Sequence, residues 1–385
     1  MAKSSSKSDQ ATSAPDAADD ILRQQAEIMF AAELAALAEH DKGARPAGWR
    51  LSPKAVETYI LGGQVGSTTI TPKYLGSQRL VQIAITSLAT DRALLLVGEP
   101  GTAKSWLSEH LTAAICGDSL MMVQGTAGTT EEQIRYSWNY ALLLAEGPSK
   151  KALVPSPVFR AMQEGKIVRF EEVTRCPAEV QDALITILSE KLLAVPELGI
   201  HVHARRGFSM IGTANTRDRG VNDMSAALKR RFNIVVLPVP DDLDTEVAIV
   251  MKRVAEAGTQ LALPAPPPAE IAVRRVVQIF QELRNGQTLD GKQKVKSPSS
   301  LLSTAECISL MSSGMALAGH FGSGTVEDRD IAAGLHAAVL KEDTKDVATW
   351  TEYLENVVKK RGKEWAPLYA ACRELLPLPS SPGKK

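Results

Sequence analysis

The sequence has no long hydrophobic run. Its apolar stretches, such as residues 94–97, are far shorter than the roughly 20 residues that span a bilayer, so we expect no membrane span. An excess of one charge is also absent, because 44 basic residues balance 44 acidic ones, and this balance argues against a nucleic-acid partner. Cysteine is scarce, and the four cysteines lie far apart, without the CxxC spacing of a zinc or redox site: Cys116, Cys176, Cys307 and Cys372.

Polar residues dominate both ends of the chain. Residues 1–20 have no apolar stretch behind their lysines, which a secretory signal requires, so we expect a disordered tail on a cytoplasmic protein. Residues 377–385 are expected to be a second loose end. Residues 21–73 form a predicted N-terminal helical segment, in which apolar side chains recur at helical spacing over residues 21–41. We predict an amphipathic helix there, outside the main core, that either packs on its own chain or holds a partner.

Short apolar runs alternate with helix-length segments in the middle of the chain. Such runs without polar alternation are typical of a mostly parallel sheet covered by helices on both faces. The pattern predicts an α/β core over residues 74–240 and a separate helical domain over residues 241–376. The five predicted strands are residues 93–97, 120–123, 167–170, 208–211 and 234–237.

A glycine loop follows the first of these strands and precedes a predicted helix. This is the context of a phosphate-binding loop, in which backbone amides and the helix N-terminus hold phosphate oxygens, although a plain connecting turn is the alternative. Lys104 would reach the β and γ phosphates, and Ser105 would ligate Mg²⁺. Ala103 stands where such loops have their last glycine, which is tolerable if that residue has helical dihedrals. The predicted nucleotide-binding residues are Gly98, Glu99, Pro100, Gly101, Thr102, Ala103, Lys104 and Ser105.

Two acids and an amide follow later strands of the core. Glu171 and Glu172 end the third predicted strand, at the edge where ligands of open α/β sheets bind. Because successive side chains of a strand diverge, Glu171 can join Ser105 at the metal while Glu172 activates the attacking water. Asn215 follows the fourth strand and would hold that water, although an asparagine there could equally cap a turn.

Basic residues end a short predicted helix before the last strand. Arg230 and Arg231 suit the C-terminus of any helix. Alternatively, one of them projects into the nucleotide of a neighbouring subunit and neutralises transition-state charge, which requires a ring.

These features, in this order, resemble the MoxR family of AAA+ ATPases over residues 74–376. The most specific stretch is residues 170–184, FEEVTRCPAEVQDAL, which is similar to the family's acid pair, its N-R-x-P segment and its V-Q-x-A-L helix. The resemblance implies a P-loop AAA+ core with a helical lid, and ATP and Mg²⁺ as ligands. It also implies a homo-oligomeric ring, which we expect to be hexameric. By the same resemblance Asn215 is sensor 1, and Arg231, in an R-F pair, is the better candidate for the arginine finger.

Two inserts and several departures accompany the resemblance. Residues 132–157 and 191–206 would be a helix insert and a hairpin, which in the family face the ring pore or the partner; each could also be an ordinary surface hairpin. Glu171 replaces an expected aspartate. Ser299 replaces the sensor 2 arginine of the lid, a loss that Arg274 or Arg275 could compensate. We therefore expect slow turnover.

Three functions are consistent with these features. The first is a chaperone-like ATP hydrolase whose ring remodels, activates or assembles a protein client, with a von Willebrand A domain partner implied by the resemblance. The second is a nucleotide-gated scaffold with little hydrolysis. The third is a nucleic-acid translocase or a GTPase on a related core, against which the neutral net charge argues.

Overall fold

The computed structural model describes residues 22–216, 224–341 and 345–376. The predicted tails, residues 1–20 and 377–385, lie outside the described residues. The α-helices are α1 (Ala26–Met29), α2 (Ala31–His40), α3 (Pro53–Leu61), α4 (Gln78–Leu88), α5 (Lys104–Cys116), α6 (Glu131–Ile134), α7 (Tyr140–Glu146), α8 (Pro157–Glu164), α9 (Ala178–Glu190), α10 (Ala226–Lys229), α11 (Leu243–Gln260), α12 (Glu270–Asn285), α13 (Thr304–Phe321), α14 (Asp328–Val339), α15 (Lys345–Asn356) and α16 (Ala366–Glu374). The strands are β1 (Gly63–Val65), β2 (Thr68–Ile70), β3 (Ala93–Gly98), β4 (Met122–Gln124), β5 (Tyr136–Trp138), β6 (Leu153–Pro155), β7 (Ile167–Glu171), β8 (Leu192–Val195), β9 (Ile200–His203), β10 (Ser209–Asn215) and β11 (Phe232–Val236).

A five-stranded parallel sheet forms the centre of the α/β part, in the order β11-β3-β10-β7-β4. The five predicted strands are therefore confirmed, with shifts of at most four residues at their ends. Because every pairing is parallel, the carboxyl ends of all five strands meet at one edge.

The alternation of side chains along each strand divides the core into two layers. In β3, Ala93 and Leu95 pack into the cluster on one face of the sheet, with α9 and Phe170 of β7. Leu94 and Leu96 point to the other face, into a cluster with α3, α4 and α5. A strand that is buried on both faces has no polar alternation, which explains its continuous apolar run.

The helices from α11 to α16 pack around a cluster of their own. Val254, Phe280, Met311 and Trp350 are among its buried residues. This cluster corresponds to the helical part that was predicted after residue 240. The domain boundaries placed at residues 73 and 240 stay predictions.

The N-terminal helical segment was expected to lie outside the main core, and this prediction was wrong. Two helices, α1 and α2, replace the single predicted helix, and Leu37 is buried in the same cluster as Leu94 of the central sheet. An ion pair of 2.6 Å between Arg23 and Glu109 of α5 fixes the segment further. The helical spacing therefore reflects packing on the chain itself.

Both predicted inserts contain antiparallel hairpins. Strands β5 and β6 pair with each other and enclose α7, while β8 and β9 pair across a 3-10 turn at Pro196–Leu198. None of the described helices is long and apolar enough to cross a membrane.

Candidate active site

A cavity of about 420 Å³ opens at the carboxyl edge of the sheet, between the α/β part and the helices that follow it. This volume lies within the usual range for small-molecule sites. The loop between β3 and α5 lines one wall, with Lys104 and Ser105 at its end, and Ala305 at the start of α13 lines another. Glu172 and Asn215 also face the cavity, so the structure brings together eight of the predicted site residues: these two and residues 100–105 of the loop.

The Lys104 side chain folds back onto the loop that follows β3. The Lys104 side chain is almost fully buried, and its Nζ donates to the carbonyl oxygens of Gly98 (3.1 Å) and Glu99 (2.9 Å). Gly101 has a φ of +82°, and a Cβ there would lie 2.7 Å from the Cβ of Ser303, the N-cap of α13. A larger residue at Gly101 would therefore push the helical part away from the loop.

Ala103 does not have the helical dihedrals that sequence reasoning required of it. Its φ of 63° and ψ of 24° are left-handed, which is the conformation that glycine adopts without cost. The condition under which alanine was expected to be tolerable is therefore not met, and the chain holds Ala103 in a strained conformation at the N-cap of α5.

Glu171 lies at the end of β7, and its carboxylate is 4% exposed. One oxygen accepts hydrogen bonds from Ser105 Oγ (2.7 Å) and Thr213 Oγ1 (2.8 Å), and the other accepts from Ser108 Oγ (2.7 Å). Arg169 Nη2 donates to that second oxygen at 2.8 Å. Burial alone would raise the pKa of Glu171, but Arg169 and the three hydroxyl donors outweigh it and lower the pKa. The acid is therefore ionised at neutral pH.

Glu172 is oriented by its backbone and not by strand geometry. It follows the last residue of β7 with a left-handed φ of 55°, and its amide donates to Thr213 Oγ1 at 2.9 Å. This conformation turns the side chain toward Asn215, whose Nδ2 donates to the carboxylate at 3.0 Å. Arg175 Nε lies 3.6 Å from the same carboxylate. Strain of this kind clusters at functional sites, and here it separates the two adjacent acids.

Two family models match the chain, one over the α/β part and one over the helical part. Residues 93–232 match the family described as AAA domain (dynein-related subfamily), and residues 244–376 match the YehL-like AAA+ ATPase C-terminal domain. Over 359 residues the chain is 41% identical to the uncharacterized protein YehL of Escherichia coli strain K12, and the match covers 92% of this chain and 97% of that protein. The chain belongs to the YehL family of AAA+ ATPases. The predicted resemblance to MoxR-type AAA+ ATPases and the predicted fold class are confirmed.

The chain is also similar, at lower identity, to other proteins of known sequence or structure. A Staphylococcus haemolyticus protein, also uncharacterized, is 26% identical over 195 residues, which is 50% of this chain and 69% of the relative. The crystal structure of NtrX from Brucella abortus in complex with ATP has a TM-score of 0.47 and 13% identity, and the match covers 79% of this chain and 69% of that one.

Arg230 and Arg231 of the YehL-family chain lie apart from the cavity-lining residues. Arg231 Nε donates to Ser189 Oγ of α9 at 2.7 Å, and its Nη1 donates to the carbonyl of Ala227 at 3.4 Å. Arg230 is exposed. Neither arginine is brought to the cavity of its own chain, and their role at the site of a neighbouring subunit stays a prediction.

The lid residues singled out from the sequence are engaged elsewhere. Ser299 donates to Asp346, Arg274 pairs with Asp244 at 2.6 Å, and Arg275 pairs with Asp328 at 2.5 Å. None of these three predicted lid residues is among those that line the cavity. The suggestion that Arg274 or Arg275 compensates for Ser299 was therefore wrong for this conformation.

Cations on α11 line the cavity instead, and sequence reasoning missed them. The guanidinium of Arg253 lies 3.8 Å from the ring centre of Trp106, the residue after Ser105, and Lys252 donates to the carbonyl of Pro72. A cation over an indole face is attracted by the ring quadrupole. Trp106, beside the phosphate loop, was the signal in the sequence that a cation could bind there. The sequence does not show, however, that this cation comes from α11.

Lys73 is a further missed cavity residue. Its side chain is 2% exposed, and its Nζ bonds Glu33 Oε2 at 2.6 Å and lies 4.0 Å from the ring centre of Phe30. Burial lowers the pKa of Lys73, and the hydrogen bond and charge of Glu33 oppose that shift. The N-terminal segment thus contributes Phe30 to the cavity wall and Glu33 as the partner of Lys73.

Proposed function

We propose that this YehL-family ATPase hydrolyses ATP with Mg²⁺ in an oligomeric ring in the cytoplasm and uses the energy to remodel, activate or assemble a partner protein. The contact between Glu172 and Asn215 beside the phosphate loop carries the hydrolytic part of this proposal. A protein that only binds nucleotide has no need of an acid and an amide held together at the cavity.

The loop residues from Gly98 to Ser105 would hold the phosphates. Lys104 would exchange its contacts with the loop carbonyls for the β and γ phosphates, and the N-terminus of the 13-residue helix α5 favours negative charge. Ser105 and Glu171 offer oxygen atoms of the hard kind that Mg²⁺ prefers, and together they would form the metal site. A Mg²⁺ ion held by these residues would supply positive charge that offsets the charge of the phosphates.

Glu172 would be the general base. A water held between its carboxylate and the Asn215 amide could attack the γ-phosphorus while its proton passes to Glu172. The bond between that phosphorus and the β–γ bridging oxygen then breaks, and ADP leaves. The Glu172 side chain is 22% exposed, so it is accessible from the cavity without being fully solvated.

Arg231, or its neighbour Arg230, would complete the site of an adjacent subunit. The support is their position beside α9 and away from their own cavity, together with the resemblance to ring-forming ATPases. An arginine supplied in trans can raise the rate of phosphoryl transfer by about 10³-fold or more. We expect the ring to be hexameric.

The inserts support a protein client. Helix α7, between β5 and β6, presents Tyr140 and Leu144 with 64% and 88% of their surfaces exposed. Exposed large apolar side chains on one short element suit contact with another protein. A partner with a von Willebrand A domain is the expectation from the MoxR resemblance.

Light scattering with and without ATP tests assembly, and the Glu172→Gln variant should assemble and remain assembled. Leu144→Ser on that background should leave assembly intact and weaken retention of any client that is captured only with ATP. Failure of ATP to change the mass would argue against a nucleotide-dependent ring.

A nucleotide-gated scaffold is the second candidate. It is favoured by Ser299, which stands in place of the lid arginine expected from the resemblance. The Ser299 hydroxyl donates to Asp346, so this position provides no cation for the nucleotide. Assembly on ATP without measurable turnover would distinguish it.

A further inference from the structure

An arginine lies inside the most buried part of the sheet. Arg169 is the central residue of β7, has 6% of its surface exposed, and sits between the neighbouring strands β10 and β4. Because side chains alternate along a strand, Arg169 and Glu171 point to the same face, toward α5. A buried guanidinium is costly unless it is paired and hydrogen-bonded.

Most contacts of Arg169 are with the candidate metal site, which comprises Ser105 and Glu171, and with Ser108 beside it. Its Nε and Nη2 lie 3.2 Å and 2.8 Å from one oxygen of Glu171, and Nε also lies 3.0 Å from Ser108 Oγ. The remaining donors reach the carbonyls of Ser105 (3.2 Å) and Ser119 (3.3 Å). Arg169 therefore contacts both the predicted metal-binding acid and the backbone of the predicted metal-binding serine.

The acceptor capacity of Glu171 is fully used by its own chain. A carboxylate offers about four lone-pair directions. Arg169 and Ser108 occupy one oxygen, and Ser105 and Thr213 occupy the other. A direct bond from Glu171 to a metal would displace one of these donors. By contrast, a serine hydroxyl that donates its proton to Glu171 keeps its own lone pairs for a cation.

We propose that Arg169 is a positioning residue that cancels the charge of Glu171 and holds this acid as the acceptor for Ser105. Glu171 then acts on the metal through the serine hydroxyl, and the phosphates of the nucleotide supply the negative charge that attracts Mg²⁺. This inference rests on the proposed function, because it concerns the metal of the nucleotide site.

The net charge of the buried pair gives the test. The net charge of Arg169 and Glu171 together is zero in the wild type, +1 in Glu171→Gln, and again zero in the double variant Arg169→Met/Glu171→Gln. If Arg169 acts by charge, the Mg²⁺ requirement for nucleotide binding follows this net charge. If Glu171 is a direct ligand, both variants lack the carboxylate, and the Mg²⁺ concentration that each requires rises to the same extent.

Binding of a methylanthraniloyl-labelled ATP, followed by fluorescence anisotropy over a range of Mg²⁺ concentrations, measures this without hydrolysis. We expect the half-saturating Mg²⁺ concentration to rise about tenfold or more in Glu171→Gln, because an unopposed buried cation repels the metal. The double variant should return to within about threefold of the wild type. A double variant as impaired as Glu171→Gln, or a Glu171→Gln variant equal to the wild type, would overturn the inference.

Thermal unfolding of each variant shows whether it is folded. The comparison avoids Arg169→Met alone, since an unpaired buried carboxylate is strongly destabilising. If the double variant does not fold, Arg169→Gln/Glu171→Gln provides a second neutral pair with polar side chains. Wild-type protein that binds no labelled ATP at any Mg²⁺ concentration would refute the proposed function as well, whereas the outcomes above refute the role of Arg169 alone.

Discussion

Replacing Ala103 with glycine should stabilise the protein. Ala103 has a φ of 63° at the start of α5 and an exposed side chain, so its removal sacrifices little packing. A left-handed L-residue costs about 1 to 2 kcal/mol. The greater freedom of glycine in the unfolded chain costs about 0.5 to 1 kcal/mol. The free energy of unfolding should therefore increase by roughly 0.5 to 1 kcal/mol.

A matched control makes the sign of this change informative. Ala35 is exposed in the interior of the right-handed helix α2, where no left-handed strain exists. Ala35→Gly should lower the free energy of unfolding by about 1 kcal/mol. The two substitutions are chemically identical, so their opposite signs would come from backbone conformation alone.

Urea and thermal unfolding, followed by circular dichroism, measure both variants. Ala103→Gly should raise the melting temperature by about 1 to 3 °C, and Ala35→Gly should lower it. Binding of ATP by Ala103→Gly should be no weaker than that of the wild type, because the glycine keeps the loop geometry. A loss of stability in Ala103→Gly equal to that in Ala35→Gly would refute the argument from backbone strain.

Three other predictions concern the ring, the cavity and the pH dependence of stability. Arg231→Ala should abolish hydrolysis and spare ATP binding, and mixing it with Glu172→Gln subunits should restore part of the activity; a lack of rescue would count against a shared site. Arg253→Gln should weaken ATP binding by about threefold to tenfold through loss of a cavity cation, whereas Arg274→Gln, on the neighbouring helix, should not. Burial, with nearby cations, lowers the pKa of His110 to about 3. In the unfolded chain the imidazole is protonated near pH 6.5, so protonation favours the unfolded state below that pH. The free energy of unfolding should therefore fall by up to about 1.4 kcal/mol per pH unit below pH 6.5. His110→Gln should flatten this decline, and an unchanged pH profile would contradict it.

Local sequence patterns predicted the parts of the molecule that depend on neighbouring residues. The apolar runs indicated the five strands, because strands covered on both faces need apolar side chains throughout. The glycine loop and the acid pair indicated the cavity edge, because parallel strands end on the same side of a sheet.

The features that escaped prediction depend on contacts between distant segments. Leu37 belongs to the core because α2 packs onto the α/β part, and helical spacing alone does not say what a helix packs against. Arg253 reaches Trp106 across 147 residues of sequence through the packing of α11. Arg169 resembled an ordinary polar interruption of a strand, since its pairing with Glu171 depends on burial of both side chains.

ATP hydrolysis by the wild type and by Glu172→Gln, measured with Mg²⁺ beside ATP binding, tests the central claim most directly. The proposed role of Glu172 as general base predicts turnover by the wild type, little or none by the variant, and ATP binding by both. Equal turnover by the two proteins would contradict the assignment of Glu172, and binding without turnover by either would contradict the proposed hydrolysis itself.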